Sequence, residues 1–327
     1  MARHDMIVIS FADTVRLSLL VLLGVAAYRD IQTRRVPNYV WFPFLTIGGV
    51  IFGYELVQRF SYFSSPWVAS LPLGVVTIVS VIGYIGWRQG LYGGADAKAI
   101  ISLAVLFPDA PSIYVDSMVF PLTHSLLNSF SITILTNAVV LSSIYPLLML
   151  INNINSGNLS LPSCLLARRH SVDEIENVHG TLYHSIEESL TPGLDLDALR
   201  MYLRWRGSSL STLVSSPSIH RDPDSIRKTF PATDGRIDVS CASAASSSAP
   251  EIDARDSWGA AAFLNAVGPA YGTTPMMLRT GLERLSSNDT VWVSPGIPFL
   301  VPLFMGTILA LTAGNILIGL LSGFGLY

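Results

Sequence analysis

Long apolar runs separated by short polar turns are the feature that most limits what this chain can fold into. A helix needs about 20 mainly apolar residues to cross the hydrocarbon core of a bilayer, and most of the runs reach that length. Half of the 327 residues are hydrophobic and only 13% are charged, against about 25% in a typical soluble domain. The pattern predicts an all-α polytopic membrane protein with about six transmembrane helices.

The predicted helices follow the apolar runs in order. They are Ile7–Ala27, Tyr39–Val57, Trp67–Trp87, Asp96–Phe107, Leu126–Ile151 and Phe299–Leu321. The fourth is short, because its apolar run begins directly after Asp96 and ends near a proline. Asp13 and Arg16 interrupt the first run, and their i, i+3 spacing lets them pair on one face of that helix.

The composition changes at Asn152. From there to about Pro295 the chain is rich in Arg, Asp, Glu, Ser and Pro and contains no run long enough to span a membrane. We therefore predict a membrane domain at residues 1–151, a soluble insertion at residues 152–295, and a last transmembrane helix at residues 296–327.

Parts of the insertion have the apolar spacing of helices and one part does not. The helical spacing covers Leu199–Trp205, Trp258–Val267 and Pro275–Leu285. In contrast, Ser240–Ser248 consists of Ser, Ala and one Cys, a composition typical of a flexible linker. We expect a partly folded, partly flexible insertion.

Basic residues in the short loops predict the orientation. Arg29, Arg34 and Arg35 follow the first helix, and Arg88 and Lys98 flank the turn between the third and fourth helices. Arg and Lys in short loops mark the cytoplasmic side. Both loops are therefore predicted to be cytoplasmic, and with six spans the insertion lies on the same side.

Two aspartates fall at this cytoplasmic boundary. Asp30 lies in the polar turn at the end of the first apolar segment, and Asp96 begins the fourth helix behind Gly93 and Gly94, which allow a sharp turn. An ionisable residue at the edge of a membrane helix is costly and suggests a functional site. Two close carboxyl groups do not both ionise readily, so they share a proton, as in the aspartic proteases that serve as a standard example of this effect.

Structural explanations of the same residues stay open. Asp30 can pair with Arg34 one turn later, and Asp96 can cap the helix that follows it. Gly93 and Gly94 either shape the turn that presents Asp96 or form an ordinary loop. Lys98 either tunes the pair of carboxylates or only marks the membrane interface.

No metal or cofactor site is predicted. The two cysteines, Cys164 and Cys241, are far apart in the sequence and no CxxC motif is present. The net charge of −3 does not indicate a nucleic-acid partner.

Both aspartates lie in segments that resemble known motifs. The segment Asp30-Ile31-Gln32-Thr33-Arg34-Arg35-Val36-Pro37-Asn38 resembles the first catalytic segment of the type IV prepilin peptidases, and Gly93-Gly94-Ala95-Asp96-Ala97-Lys98 resembles the second. Ala95 stands where bacterial members have a second glycine, which fits the archaeal prepilin and preflagellin branch. The Val291–Pro302 segment also resembles the start of the last helix in archaeal members.

The resemblance implies an integral membrane aspartic endopeptidase with Asp30 and Asp96 as its catalytic residues and with Gly93, Gly94, Ala95 and Lys98 in supporting positions. Its substrates would be prepilin and prearchaellin precursors, from which it would remove a short basic leader at the cytoplasmic face of the bilayer. Bacterial members also methylate the new terminus and often hold zinc through four cysteines. Those cysteines are lacking here, so peptidase activity alone, without a cofactor, is expected.

Two other classes of function compete with this interpretation. A proton-coupled transporter would place carboxylates near the membrane midplane on broken helices. A non-catalytic anchor would use its insertion to bind partners and would tolerate substitution of both aspartates.

Overall fold

The computed structural model describes residues 7–89, 92–116, 118–123, 129–157, 163–182, 193–237, 247–248, 252–296 and 298–325. The contacts within the chain define two compact units. The membrane unit comprises Met1–Tyr145 and Ile297–Tyr327, and the insertion unit comprises Pro146–Gly296.

Seven helices belong wholly or partly to the described residues of the membrane unit. They are α1 (Phe11–Thr33), α2 (Trp41–Tyr62), α3 (Pro66–Arg88), α4 (Gly94–Leu106), α5 (Phe130–Asn155), α12 (Leu300–Thr312) and α13 (Ile316–Gly323). A 3₁₀ turn at Asn38–Val40 leads into α2. The C-terminal part of α5 continues into the insertion unit.

The class of a predominantly helical polytopic membrane protein is confirmed, but the count of about six spans is not reached. Among the residues that the structure describes, four helices, α1, α2, α3 and α5, are long and apolar enough to cross a membrane, and a fifth span requires α12 and α13 to be taken together. The missing span is α4, whose 13 residues cover about 20 Å at 1.5 Å per residue. Phe107 and Pro108 end this helix before it reaches the length of a span.

Although short, α4 connects the two ends of the membrane unit. At its C-terminal end the Leu106 carbonyl accepts a hydrogen bond of 2.8 Å from Nε of Arg16, near the start of α1. Beyond α4, strands β2 (Ile113–Val115) and β3 (Met118–Phe120) form an antiparallel sheet with β1 (Ile7–Val8). The helix therefore runs antiparallel to α1, away from the end of the unit that holds Asp30.

The predicted last helix is broken. The axes of α12 and α13 differ by 63°, and Gly314 at the break has a left-handed φ of 88°. The buried side chain of Asn137 donates to the Gly314 carbonyl at 2.9 Å and accepts from the Ile316 N–H at 2.9 Å. Polar groups freed by a break inside a membrane protein need such internal partners.

Close helix contacts hold the membrane unit together. Helix α1 packs mainly on α12, and α4 packs mainly on α2 and α3. A Cβ atom at Gly306 would lie 2.8 Å from the backbone nitrogen of Ala138, and one at Gly24 would lie 3.2 Å from the Phe304 ring. Small residues allow helices in membranes to approach closely, so these glycines fix the path of α12 against α1 and α5.

The insertion unit combines short helices with small sheets. Its elements are α6 (Ser163–Leu166), β4 (Arg168–Ser171), a 3₁₀ turn (Val172–Asn177), β5 (Thr181–Leu182), α7 (Leu196–Arg206), α8 (Leu210–Ser215), α9 (Pro217–Arg221), a 3₁₀ turn (Pro223–Ser225), β6 (Lys228–Thr229), β7 (Ser247–Ser248), a 3₁₀ turn (Ser257–Gly259), α10 (Ala260–Val267), α11 (Pro275–Ser287) and β8 (Thr290–Ser294). The three helices predicted from apolar spacing are confirmed as α7, α10 and α11.

A single core stabilises this unit. Strand β8 pairs with β4 on one side and β5 on the other, both antiparallel. Helix α7 lies at the centre of the core, where Leu199, Tyr202 and Trp205 are buried. Most of the predicted linker, residues 240–246, lies outside the described residues, whereas its last two residues form β7 and pair with β6.

Candidate functional site

Asp30 lies in the last turns of α1 and its side chain is buried. The helix continues to Thr33 and ends because Arg34 adopts a left-handed conformation, with its N–H bonded to the Asp30 carbonyl at 3.1 Å. The backbone N–H of Leu300, at the start of α12, donates to the Asp30 carboxylate, and the Arg34 guanidinium is close enough to act on it electrostatically. The other carboxylate oxygen, Oδ2, is buried and has no hydrogen-bond partner among the described residues.

Asp96 occupies the third position of α4 rather than the cap itself. Gly93 is the N-cap residue, with an extended backbone, and Oδ2 of Asp96 accepts the Gly93 N–H at 3.1 Å. This is the acidic half of a capping box, so the capping interpretation of Asp96 is partly correct. Capping uses only one of the two carboxylate oxygens.

The two carboxyl groups act on each other. Asp96 belongs to α4, which is not one of the helices long enough to span the membrane. Burial raises the pKa of Asp96 to about 6, the Asp30 carboxylate acts in the same direction, and the hydrogen bond from Gly93 acts in the opposite one. Two carboxyl groups from segments about 65 positions apart in the sequence are thus brought within electrostatic reach.

Tyr92 supports the turn that precedes Asp96. Its hydroxyl donates to the carbonyls of Ile82 and Gly83 in α3, both at 3.0 Å. Its ring stacks on Phe299 with centroids 6.4 Å apart and an interplanar angle of 10°. Gly86 leaves the space for this ring, because a Cβ atom there would lie 2.3 Å from the Tyr92 hydroxyl.

Lys98 connects the two motif segments. Its Nζ donates to Oδ1 of Asn38 at 2.6 Å, although the two residues are 60 positions apart. A second contact joins the two residues that flank the first segment, where Nη1 of Arg29 donates to the Tyr39 hydroxyl at 3.4 Å. The glycines precede α4 as expected, with Gly94 as its first residue and Ala95 partly buried next to Asp96.

Sequence reasoning missed the contributions of Leu300, Phe299 and Tyr92. The available signal was the Val291–Pro302 segment, whose resemblance to the start of a last helix pointed to this part of α12. The resemblance of this segment did not indicate that the backbone N–H of Leu300 donates to Asp30. The contact between Lys98 and Asn38 was also not foreseen, although both residues stand in the quoted segments.

A separate group of charges lies at the other end of the membrane unit. Arg16 pairs with Asp13 at 2.9 Å, as predicted, and with Glu55 at 2.6 Å. Arg59 pairs with Asp109 beside a cavity of about 660 Å³. Within the part of the chain that the structure describes, no group of three or more His, Cys, Asp or Glu side chains is arranged to hold a metal ion.

The fold and this site define a multi-pass membrane protein with two carboxyl groups in electrostatic reach of each other at one end of its helices. Residues 17–149 match the sequence model of the type IV leader peptidase family. This segment contains Asp30, Asp96 and all of the supporting positions, so the resemblance seen in the two motifs is confirmed over this part of the chain.

Three curated archaeal proteins are similar to part of the chain. The chain is 28% identical over 118 residues to prepilin peptidase EppA of Methanothermobacter thermautotrophicus, which is 35% of this chain and 29% of the relative. It is 26% identical over 138 residues to the preflagellin peptidase of Methanococcus voltae, covering 42% and 57% of the two chains. It is 27% identical over 136 residues to the preflagellin peptidase of Methanococcus maripaludis, covering 41% and 56%. In each case the similarity spans less than two thirds of the relative's own length.

Proposed function

We propose that this protein is a membrane aspartic endopeptidase that removes the short basic leader from prepilin and prearchaellin precursors at the cytoplasmic face of the membrane. Asp30 and Asp96 are the catalytic residues, and no metal or cofactor takes part. The observation that carries the proposal is the electrostatic coupling of the buried Asp30 carboxyl group with the half-buried one of Asp96, each from a segment that resembles a catalytic motif of peptidases. The names of the three archaeal relatives support the substrate class.

The chemistry follows from a pair of carboxyl groups that shares one proton. The ionised carboxylate takes a proton from a water molecule, whose oxygen attacks the carbonyl carbon of the scissile peptide bond. The protonated carboxyl group donates its proton to the carbonyl oxygen, which gives a tetrahedral diol. Collapse of the diol breaks the C–N bond, and a carboxyl group returns a proton to the departing amine. The products are a free carboxylate on the leader and a free amine on the mature chain.

The location of the site suits the proposed substrate. Asp30 lies in the last turns of α1 and Asp96 in the first turn of α4, so both are at the ends of membrane helices rather than near their centres. A precursor with a polar leader followed by an apolar helix would place the bond between those two parts at this depth. Arg29, Arg34 and Arg35 around the same end support its assignment to the cytoplasm.

The break in the last helix argues against the transporter alternative. A transporter would use carboxylates at such a break, near the midplane. Here the break between α12 and α13 is lined by Asn137, Thr123 and Asn315, and these uncharged side chains satisfy its backbone groups. Asp30 is instead near the first residue of α12, which is the other end of that helix.

The proposal is tested with Asp30→Asn and Asp96→Asn in the full chain, purified in detergent and mixed with a purified prepilin precursor. Each variant should abolish leader removal, read as a mobility shift on a gel, because Asn cannot ionise while the mechanism needs one ionised and one protonated carboxyl group. Acid–base catalysis contributes about 10²- to 10⁴-fold in rate. Because the two residues act as a unit, the double variant should be little worse than either single variant.

Asp116→Asn is the matched control. Asp116 is exposed at the other end of the membrane unit and has a positive φ of 53°, which Asn also tolerates. This variant should cut at the rate of the unmodified chain. If Asp30→Asn also cuts at that rate, Asp30 is only a partner of the neighbouring arginine and the proposed pair is wrong.

A further inference from the structure

The two carboxylates stand on helices with different packing partners. Asp30 belongs to α1, which packs mainly on α12, whereas Asp96 belongs to α4, which packs mainly on α2 and α3. The two helices share one buried apolar cluster, which includes Ala27 of α1 and Ala99 of α4, but neither is the other's main packing partner. A directional contact near the carboxyl groups therefore adds to what apolar packing fixes.

Among the described residues, one side-chain hydrogen bond joins each end of α4 to the part of the chain before α2. At the far end, Nε of Arg16 donates to the Leu106 carbonyl at 2.8 Å, and both groups are buried. At the end that holds the carboxylates, Nζ of Lys98 donates to Oδ1 of Asn38 at 2.6 Å. The second bond acts two residues from Asp96 and directly after the turn that follows Asp30.

Two other contacts hold the start of α4, the bonds of the Tyr92 hydroxyl to α3 and the bond of the Gly93 N–H to Asp96, but neither of them reaches the first motif segment. Helix α4 begins behind two glycines, and its N-cap residue, Gly93, has no side chain to hold the helix start. Glycine leaves the backbone more freedom than any other residue. Asn38 stands at the start of the 3₁₀ turn after Pro37 and is exposed, so its side chain gains little from packing.

We propose that the hydrogen bond from Lys98 to Asn38 sets the separation of the two catalytic carboxyl groups, and that Lys98 and Asn38 are positioning residues of the peptidase. This inference rests on the proposed function for its kinetic consequence. Its geometric consequence, that breaking the bond moves residues 30 and 96 apart, holds whatever the protein cleaves.

The bond is exposed, so its loss should change rate more than stability. A single hydrogen bond to a charged group at an exposed position contributes little to folding. A displacement of about 1 Å in a catalytic arrangement, however, can cost about a hundredfold in rate. Lys98→Met keeps the length and the apolar stem of the side chain, and Asn38→Ala removes the acceptor.

The kinetic experiment uses the full chain in detergent with a purified prepilin precursor. Lys98→Met and Asn38→Ala should each lower kcat by about tenfold to a hundredfold, with KM changed by less than about twofold. The double variant should be no worse than either single variant, because all three lack the same bond. Asn38→Asp should keep most of the activity, since a carboxylate accepts a hydrogen bond from Lys98 equally well.

Arg29→Met is the matched control, because it removes a cation at the same end of the membrane unit. The bond of Arg29 to Tyr39 joins the residues on either side of the first segment and does not reach α4, so kcat should be unchanged. If Lys98 instead binds the substrate directly, Lys98→Met will raise KM and Asn38→Ala will have no effect. Either result overturns the proposal, as does additive loss in the double variant.

A cross-linking experiment separates this inference from the proposed activity. Asp30→Cys and Asp96→Cys are combined in a chain whose Cys164 and Cys241 are replaced by alanine, and the rate of joining by a short thiol-specific reagent is measured. Adding Lys98→Met to this double-cysteine chain should lower the cross-linking rate several-fold. Adding Asn38→Asp in place of Lys98→Met should leave the cross-linking rate close to that of the double-cysteine chain. An unchanged rate overturns the positioning role even if the protein cleaves precursors, and a reduced rate supports it even if the precursor is not cleaved.

Discussion

A Cβ atom on Gly86 would lie 2.3 Å from the hydroxyl oxygen of Tyr92. Helix α3 and the turn before Asp96 therefore fit together only because residue 86 has no side chain. The Tyr92 hydroxyl is held by two carbonyls of α3 and its ring lies on Phe299, so a larger residue at position 86 must displace the ring from these contacts.

This contact gives the first prediction. Gly86→Ala should lower the rate of leader removal by about tenfold or more, because the turn that carries Asp96 shifts, while the protein still enters the membrane. The measurement is kcat with a prepilin precursor in detergent. Gly74→Ala is the control, since Gly74 is also in α3 and a Cβ atom there would meet nothing within 4 Å. Equal activity of the two variants would contradict the prediction.

The second prediction concerns pH. The pKa of Asp96 is raised to about 6, chiefly by burial and then by the Asp30 carboxylate, so Asp96 holds its proton below about pH 6 and loses it above. If Asp96 is the acid of the proposed mechanism, kcat/KM should fall by about tenfold per pH unit above its pKa. The profile is measured from about pH 5 to pH 8. A flat profile to pH 8 would show that Asp96 does not act as the acid.

The third prediction concerns the broken last helix. Asn137→Leu removes the donor to Gly314 and the acceptor of the Ile316 N–H, leaving buried polar groups unpaired. Each such group costs about 1–3 kcal/mol, so the melting temperature in detergent should fall by several degrees. Asn152→Leu is the control, since Asn152 is exposed on the same helix, α5. A melting temperature equal to that of the control would show that the break does not depend on Asn137.

The fourth prediction concerns the insertion unit. Burial opposes ionisation of Asp256, but the N–H of Ala261, the Arg279 guanidinium and the N–H of Ala262 together hold the pKa of Asp256 below its ordinary value. The stability that Asp256 contributes is therefore present above the pKa of the unfolded chain, near 3.8, and is lost as the pH falls through the lower pKa of the folded state.

Asp256→Asn should lower the stability of this unit by about 2 kcal/mol at neutral pH, because it weakens charge-assisted hydrogen bonds. The difference from the unmodified chain should shrink in acid. Limited proteolysis of the full chain, with cleavage followed inside residues 146–296, measures this. Asp253→Asn is the control, since its only described side-chain bond is the local, exposed one to the Arg255 N–H. If the loss of stability in Asp256→Asn does not depend on pH, the stabilising effect is not due to the ionised Asp256 carboxylate.

Much of the architecture follows from local sequence. The length of each apolar run records what one helix needs in a bilayer, and the runs located α1, α2, α3 and α5 within a few residues. Apolar spacing likewise located α7, α10 and α11 in the insertion unit. The two glycines before Asp96 marked the start of α4, and the two motif segments indicated Asp30 and Asp96 as a candidate pair.

Tertiary structure alone decided how these parts meet. The sequence indicated a short fourth helix, but it did not reveal that the last helix bends by 63° at Gly314 or that a Leu300 N–H reaches Asp30 across about 270 positions of chain. It also did not reveal the bond between Lys98 and Asn38. The length of an apolar run and the spacing of its apolar residues describe a single helix. The contacts between helices depend instead on how helices from distant positions in the chain pack against each other.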